Sequence, residues 1–153
     1  MTVTFIRHGE SLANVNPHYY SVPDCANILT QNGVNQCIEL SHSIEKYVSS
    51  NIIISSEYQR AKVTAQIVTS KFNLPIQIDV RLNEVVHESL GKPIEKRDDV
   101  IKRIRSVVEN YECDIVLFTH SVLMGMIDIE KGNASYCEVR QYSKPDLLNK
   151  YLK

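Results

Sequence analysis

The sequence has no long hydrophobic run, no excess of charge of one sign and few cysteines. No apolar stretch in its 153 residues approaches the ~20 residues that a membrane-spanning helix needs. We therefore expect no contact with a membrane and a cytoplasmic location.

The sequence also has no excess of positive or negative charge. Seventeen lysines and arginines face eighteen aspartates and glutamates, which gives a formal net charge of −1. Extended binding of nucleic acid requires an excess of positive charge, so we expect no nucleic-acid partner. Any site for an anion must therefore be built from a few local cations.

The cysteines do not indicate a metal centre or a disulfide framework. Cys25, Cys37, Cys113 and Cys137 have no C-x-x-C spacing, and they are sparse for a chain of this length. We predict reduced thiols and no structural zinc site.

What the sequence does contain is an alternation of strand and helix patterns within a length that fits one domain, residues 1–153. Strands are expected over 2–7, 51–55, 76–80, 114–119 and 135–141. Helices are expected over 31–48, 57–71, 98–111 and 122–129, with a short closing helix after Ser143. This order predicts an α/β fold, a three-layer α/β/α sandwich with a mostly parallel central sheet.

Two local patterns refine this prediction. Residues 76–80 alternate apolar and polar side chains, which places that strand nearer a sheet edge. Ser56, with Gln59 three positions later, has the spacing of a capping box and is expected to begin the helix that follows. Residues 8–28 and 81–97 lack clear periodicity and are predicted to be loops.

Four side chains follow predicted strands at their carboxyl ends. Arg7 and His8 end the first strand, Arg60 lies just beyond the second, and His120 ends the strongly apolar strand 114–119. Parallel strands share one carboxyl edge, where open α/β sheets bind their ligands. We therefore expect these four residues to converge.

Such a group suits phosphoryl transfer. Guanidinium groups bind phosphoryl oxygens and offset their charge in the transition state. A neutral imidazole can attack phosphorus and carry the phosphoryl group. The leaving alkoxide still needs a proton, so the site also requires a carboxylic acid.

The motifs around these residues resemble those of the histidine phosphatase (phosphoglycerate mutase-like) superfamily. Five of its patterns occur in order and cover roughly residues 1–130. They are R-H-G-E-S-x-x-N at 7–14, L-T-x-x-G-x-x-Q at 29–36, S-S-x-x-x-R-A-x-x-T-A at 55–65, L-x-E at 82–84, and a strand followed by histidine at 118–120.

The resemblance implies a role for each matching residue. His8 corresponds to the nucleophile, and Glu84 to the acid that protonates the leaving group and then activates water. The residues implied to hold the phosphate are Arg7, Arg60, His120, Ser11 and Asn14. No metal or other cofactor is implied, since arginines and histidines supply the positive charge.

Several alternatives stay open. His87 and Glu88 lie in the same loop as Glu84, and either could be the proton donor instead. The predicted function is metal-independent hydrolysis of phosphomonoesters through a phosphohistidine, with a small phosphorylated substrate. The alternatives are a phosphatase acting on phosphohistidine in a protein, a phosphoglycerate mutase and a non-catalytic phospho-ligand binding module. The short segment 84–120 leaves little room for a lid and favours hydrolysis over mutase activity.

Overall fold

Five strands form one sheet in the computed structural model, which describes residues 1–48, 52–85 and 94–153. They are β1 (Thr2–Arg7), β2 (Ile52–Ser55), β3 (Ile76–Ile78), β4 (Ile115–Thr119) and β5 (Val139–Ser143). Their order across the sheet is β3-β2-β4-β1-β5. The strand pairs β3–β2, β2–β4 and β4–β1 are parallel, and β5 alone runs antiparallel to its neighbour β1. The mostly parallel sheet is as predicted.

The helices alternate with these strands along the chain. They are α1 (Leu12–Val15), α2 (Gln31–Ser41), α3 (Gln59–Thr69), α4 (Arg97–Glu109), α5 (Ser121–Ile127) and α6 (Lys144–Asp146). Short 3₁₀ turns connect several of them, among them Pro17–Tyr20, Asp24–Ala26 and Val80–Leu82. Within the described residues, no helix has both the length and the apolar character that spanning a bilayer requires.

The sheet is covered on both faces because successive strand residues point in opposite directions. Ile115 and Leu117 of β4 pack in the same apolar cluster as α4 and α5. Val116 and Phe118 pack in a second cluster, with α2 and α3. All five residues of β4 are buried, as a central strand with helices on both sides must be. The three-layer α/β/α sandwich is thus confirmed.

Two predicted boundaries differ from the structure by four residues or more. The helix expected over 31–48 ends at Ser41, whose hydroxyl donates to the Ile38 carbonyl at 2.6 Å, and a separate 3₁₀ turn follows at Ile44–Lys46. Serine side chains that bond nearby carbonyls compete with the helix in this way. The last strand begins at Val139 rather than at 135, since a turn closed by a backbone hydrogen bond from Glu138 to Ser135 precedes it.

Two finer predictions are confirmed. Strand β3 lies at a sheet edge, where Ile78 is half exposed. The closing helix begins at Lys144, with Ser143 accepting a hydrogen bond from the Asp146 backbone and Pro145 in the first turn. It continues as a π-helical turn over Leu147–Tyr151, in which Leu147 is buried against the sheet.

Candidate active site

The carboxyl ends of β1, β2 and β4 meet at one edge of the sheet. The His8 backbone N–H donates to the Thr119 carbonyl at 3.1 Å, and that of Ser56 donates to the Phe118 carbonyl at 3.0 Å. These bonds bring the rings of His8 and His120 to a centroid separation of 5.1 Å. The predicted convergence of residues 112 positions apart follows from strand pairing.

A cavity of about 390 Å³ lies at this edge. Its walls include the predicted site residues Arg7, His8, Asn14, Arg60 and Glu84. The rest of the described lining is mainly tyrosine and valine, together with Asp24, Asn27 and Ser121. Cationic groups, a histidine and a carboxyl therefore face one common space.

His8 is held in a single tautomer. Its Nδ1 lies 2.6 Å from the Gly9 carbonyl oxygen, which can only accept, so Nδ1 carries the hydrogen. Its Nε2 accepts a hydrogen bond from Nε of Arg60 at 3.2 Å, so this nitrogen holds the lone pair. Burial, and then the nearby Arg60 charge, keep the pKa of His8 well below its usual value. The imidazole is therefore neutral, with a nucleophilic nitrogen beside a guanidinium.

Arg60 lies in the first turn of α3 and is 6% exposed. Its guanidinium stacks over the Tyr58 ring at 4.8 Å. Nη1 lies 3.8 Å from a carboxylate oxygen of Asp24, whose other oxygen accepts from the Gln59 backbone at 2.7 Å. Asp24 thus supplies a hydrogen-bond acceptor at the start of α3 and partly offsets the charge of Arg60.

Arg7 is oriented by two contacts with the segment that precedes β5. Its Nη1 donates to the Ala134 carbonyl at 2.8 Å, and its guanidinium carbon lies 4.1 Å from the centre of the Tyr136 ring. Nε of Arg7 is buried without a hydrogen-bond partner among the described residues. A phosphoryl oxygen could accept that hydrogen bond.

His120 belongs to a chain of hydrogen bonds behind His8. Its Nε2 lies 2.9 Å from the Ser56 hydroxyl, which donates to Oδ1 of Asn83 at 2.8 Å. Asn83 in turn donates from Nδ2 to Glu57 at 2.7 Å, so its amide orientation is determined. Nε2 of His120 is therefore the donor to Ser56. Burial, with a contribution from Arg60, keeps the pKa of His120 well below its usual value.

This network corrects the prediction that Ser56 and Gln59 form a capping box. The N-cap of α3 is Tyr58, which makes no side-chain cap bond. The Ser56 hydroxyl is committed to Asn83, His120 and the Tyr58 backbone, while Asp24 from a distant loop serves the first turn.

Glu84 is anchored beside the cavity by backbone donors. Its Oε1 accepts from the N–H groups of Val85 at 2.9 Å and Leu123 at 3.0 Å, and its Oε2 accepts from Val122 at 3.2 Å. Two of these donors belong to the first turn of α5, directly after His120. The other candidate acids, His87 and Glu88, fall outside the described residues.

Asn14 and Ser11 occupy different environments. Asn14 lines the cavity, and its Nδ2 donates to the Tyr20 hydroxyl at 3.3 Å. Ser11 is fully buried, and both its hydroxyl and its backbone N–H donate to Oδ1 of Asn14. Ser11 is therefore placed to orient Asn14.

The start of α2 clamps the turn after His8. The Thr30 backbone donates to the Glu10 carbonyl at 2.9 Å, and the Gln36 side chain accepts from the Glu10 N–H at 2.8 Å. A Cβ on Gly33 would overlap the Glu10 carbonyl, so only glycine permits this approach. Three matched positions of one motif thus hold the turn that carries the imidazole.

Helix α3 holds the same turn from a second direction. The Gly9 N–H donates to the Thr64 hydroxyl at 3.0 Å, and that hydroxyl donates to the Arg60 carbonyl at 2.7 Å. A Cβ on Gly9 would lie 2.7 Å from the Gly33 carbonyl oxygen. The turn at Gly9 is therefore closely packed between the two helices.

Sequence reasoning missed several residues that line the cavity. Tyr19 and Tyr20 come from the 3₁₀ turn Pro17–Tyr20, and Tyr58 precedes α3. The length of the loop over 8–28 indicated a site-forming segment, but no periodicity identified its side chains. Asp24 gave no local signal, because its partners lie 35 or more positions away.

Candidate metal ligands do not cluster in the described part of the chain, where no group of three or more histidine, cysteine, aspartate or glutamate side chains could hold an ion.

Comparison with known proteins shows the family to which the chain belongs. The model of the histidine phosphatase superfamily (branch 1) matches residues 3–90, which include Arg7, His8, Arg60 and Glu84. An adenosylcobalamin/alpha-ribazole phosphatase of Escherichia coli K12 is 38% identical over 85 residues. That match covers 56% of this chain but 40% of the relative's length.

Solved structures of similar fold include a mycobacterial glucosyl-3-phosphoglycerate phosphatase, with a TM-score of 0.74 and 20% identity over 93% of this chain and 92% of that one. A phosphoserine phosphatase of Entamoeba histolytica has a TM-score of 0.70 and 17% identity, over 93% and 90% of the two chains. At these identities the likeness concerns the fold.

Proposed function

Because this chain belongs to the histidine phosphatase superfamily, we propose that it is a metal-independent phosphatase that hydrolyses phosphomonoesters through a phosphohistidine on His8. The observation that carries the proposal is the state of His8. Its imidazole is neutral, its Nδ1 hydrogen is held by Gly9, and its Nε2 lone pair lies 3.2 Å from the Arg60 guanidinium. A nucleophile for phosphorus needs that lone pair and a neighbouring cation.

The first step transfers the phosphoryl group to the enzyme. Arg7 and Arg60 bind the phosphoryl oxygens, and His120 lies next to His8 but is not among the described residues that line the cavity. Nε of Arg60 shifts its hydrogen bond from Nε2 of His8 to a phosphoryl oxygen, Nε2 attacks phosphorus, and the bond to the ester oxygen breaks. Glu84, on the same cavity wall, gives its proton to the departing oxygen.

The second step returns the enzyme to its starting state. Water attacks the phosphohistidine while Glu84, now ionised, accepts a proton from that water. The phosphorus–nitrogen bond breaks, inorganic phosphate leaves, and His8 regains its lone pair. The three backbone donors hold the Glu84 carboxyl group at the cavity wall in both steps.

The related E. coli phosphatase supports a small phosphorylated molecule as the substrate class. Transfer from a phosphohistidine in another protein is the first alternative, and a nitrogen leaving group has less need of an acid than an alkoxide. The position of Glu84 in the cavity favours the phosphoester. A mutase reaction and a purely binding role have no comparable observation in their favour.

The decisive experiment is to trap the intermediate. Quenching in alkaline SDS shortly after mixing with ³²P-labelled phosphomonoester should give a phosphoenzyme that is labile to acid and stable to base, with the label on His8. His8→Ala should yield neither label nor turnover while retaining the far-UV circular dichroism of the wild type. Label on serine or cysteine, or a His8→Ala activity within a few-fold of wild type, would refute the proposal.

A further inference from the structure

The part of the cavity beyond the phosphate pocket is lined largely by aromatic and aliphatic side chains. Three tyrosines and three valines contribute to the described lining: Tyr19, Tyr20, Tyr58, Val22, Val85 and Val122. Building on the proposed function, we propose that the preferred substrate is a phosphomonoester whose alcohol carries an apolar ring and no negative charge.

The tyrosines are positioned to contact such a ring. Tyr20 is 47% exposed, yet its hydroxyl accepts a hydrogen bond from Asn14, which holds the ring at the cavity wall. Tyr58 also lines the cavity and contacts the guanidinium of Arg60 and the ring of His120. A ring bound against these side chains would be removed from water and would contact aromatic groups.

The charges of the described lining disfavour a second anionic group on the substrate. Its described cations are Arg7 and Arg60, and both are needed for the phosphoryl oxygens. The remaining negative charge is the carboxylate of Asp24, since Glu84 carries its proton when the substrate of the proposed reaction binds. A carboxylate or second phosphate on the alcohol would therefore meet the Asp24 carboxylate and no further cation in the described lining. Such a substrate would lose its hydration without compensation.

Asp24 is the residue that sets this selectivity. Its carboxylate is 3.8 Å from Nη1 of Arg60 and accepts from the Gln59 N–H, so it is held at the boundary between phosphate pocket and outer cavity. Asp24→Asn keeps an oxygen for the Gln59 bond and removes only the negative charge. The substitution therefore tests the negative charge of residue 24 while the hydrogen bond to the Gln59 N–H is kept.

The test uses four substrates with similar leaving groups: ethyl phosphate, benzyl phosphate, 4-carbamoylbenzyl phosphate and 4-carboxybenzyl phosphate. We expect kcat/KM to be about tenfold higher or more for benzyl than for ethyl phosphate. The carbamoyl compound should exceed the carboxyl compound, which has almost the same shape, by about tenfold, or ~1.4 kcal/mol. Tyr20→Leu should reduce the preference for benzyl over ethyl phosphate by about threefold to tenfold.

The variant Asp24→Asn should bring the carbamoyl-to-carboxyl ratio to within about threefold. Any change that it causes in Arg60 affects both substrates alike and cancels in this ratio. Glu130→Gln removes one charge at an exposed position outside the cavity lining and should leave the ratio unchanged. Preference for the carboxylated compound, or a ratio unaltered by Asp24→Asn, would overturn this inference alone. Failure to hydrolyse any of the four would overturn the phosphomonoesterase proposal, and this inference with it.

Discussion

Nε of Arg60 donates a hydrogen bond to Nε2 of His8 at 3.2 Å, across 52 positions of sequence. The same nitrogen of His8 carries the lone pair that attack on phosphorus would use. The guanidinium therefore orients the imidazole and, as a nearby positive charge, lowers its pKa further below the usual value. One residue thus serves the nucleophile and, in the proposed reaction, the phosphoryl group.

Replacement of Arg60 by lysine should separate these contributions. Arg60→Lys keeps a positive charge but removes the Nε donor and the planar group that stacks on Tyr58. We expect kcat to fall on the order of 10²–10³-fold, the cost of losing one transition-state donor. Steady-state kinetics with Arg105→Lys, on α4 and outside the cavity lining, provide the matched control. A kcat within fivefold of wild type would contradict the assignment.

The effect on turnover of removing the Glu84 carboxyl group should depend on the leaving group. Glu84→Gln retains an oxygen for the N–H groups of Val85 and Leu123, loses the acceptor of the Val122 N–H and has no acidic proton to give. Turnover of ethyl phosphate should fall on the order of 10²-fold or more, since its alkoxide needs a proton. Turnover of 4-nitrophenyl phosphate should fall much less, because nitrophenolate departs as a stable anion.

The same pair of substrates decides between the candidate proton donors. If His87→Gln or Glu88→Gln shows the leaving-group-dependent loss of turnover and Glu84→Gln does not, the proton donor is the residue replaced in the affected variant.

The close approach of α2 to the His8 turn predicts a severe effect of one added methyl group. A Cβ in Gly33→Ala would overlap the Glu10 carbonyl, so turn and helix must move apart. We expect a loss of about 2–3 kcal/mol in the free energy of unfolding, together with reduced activity. Urea denaturation and kinetics measure both quantities.

Gly132→Ala is the control for that experiment. At a φ of 65° its Cβ has nothing within 4 Å, so the substitution should cost about 1 kcal/mol of backbone strain. Activity should be unchanged. Equal effects of the two substitutions on activity would argue against the clamp.

Acid should destabilise the fold through the two buried histidines. The pKa values of His8 and His120 are depressed in the folded state, so below about pH 6.5 the unfolded chain binds protons that the folded chain does not. Stability should be fully present above that pH. Below it, stability should fall by about 1.4 kcal/mol per pH unit for each histidine, until the folded pKa is reached.

Urea unfolding between pH 7.5 and 5.5 measures this dependence. His8→Asn should remove about half of the slope. A free energy of unfolding that does not change with pH across this interval would contradict the prediction.

Metal removal should leave the proposed activity intact. The positive charge at the phosphate comes from Arg7 and Arg60, so the proposed reaction has no step that requires an ion. Dialysis against EDTA should not lower kcat/KM, and added Mg²⁺ should not raise it. A loss restored by a divalent ion would refute the metal-independent mechanism.

Much of the fold was determined by local patterns in the sequence. The apolar run 114–119 indicated a strand, which the structure places at the centre of the sheet, and the alternation over 76–80 indicated an edge strand, since burial on one face is recorded in neighbouring residues. The placement of Arg7, His8 and His120 directly after strands implied their convergence, because parallel strands share an edge.

Only the tertiary structure decided which side chains meet across that edge. Ser56 had the spacing of a helix cap, but packing committed its hydroxyl to His120 and Asn83, and the first turn of α3 received Asp24 instead. Cys37 and Cys137, 100 positions apart, lie with their sulfurs 3.8 Å from each other. Periodicity describes what a segment buries, whereas contacts between distant segments depend on how the sheet and helices pack. The proposed nucleophile could therefore be named from the sequence, and the side chains proposed to select its substrate could not.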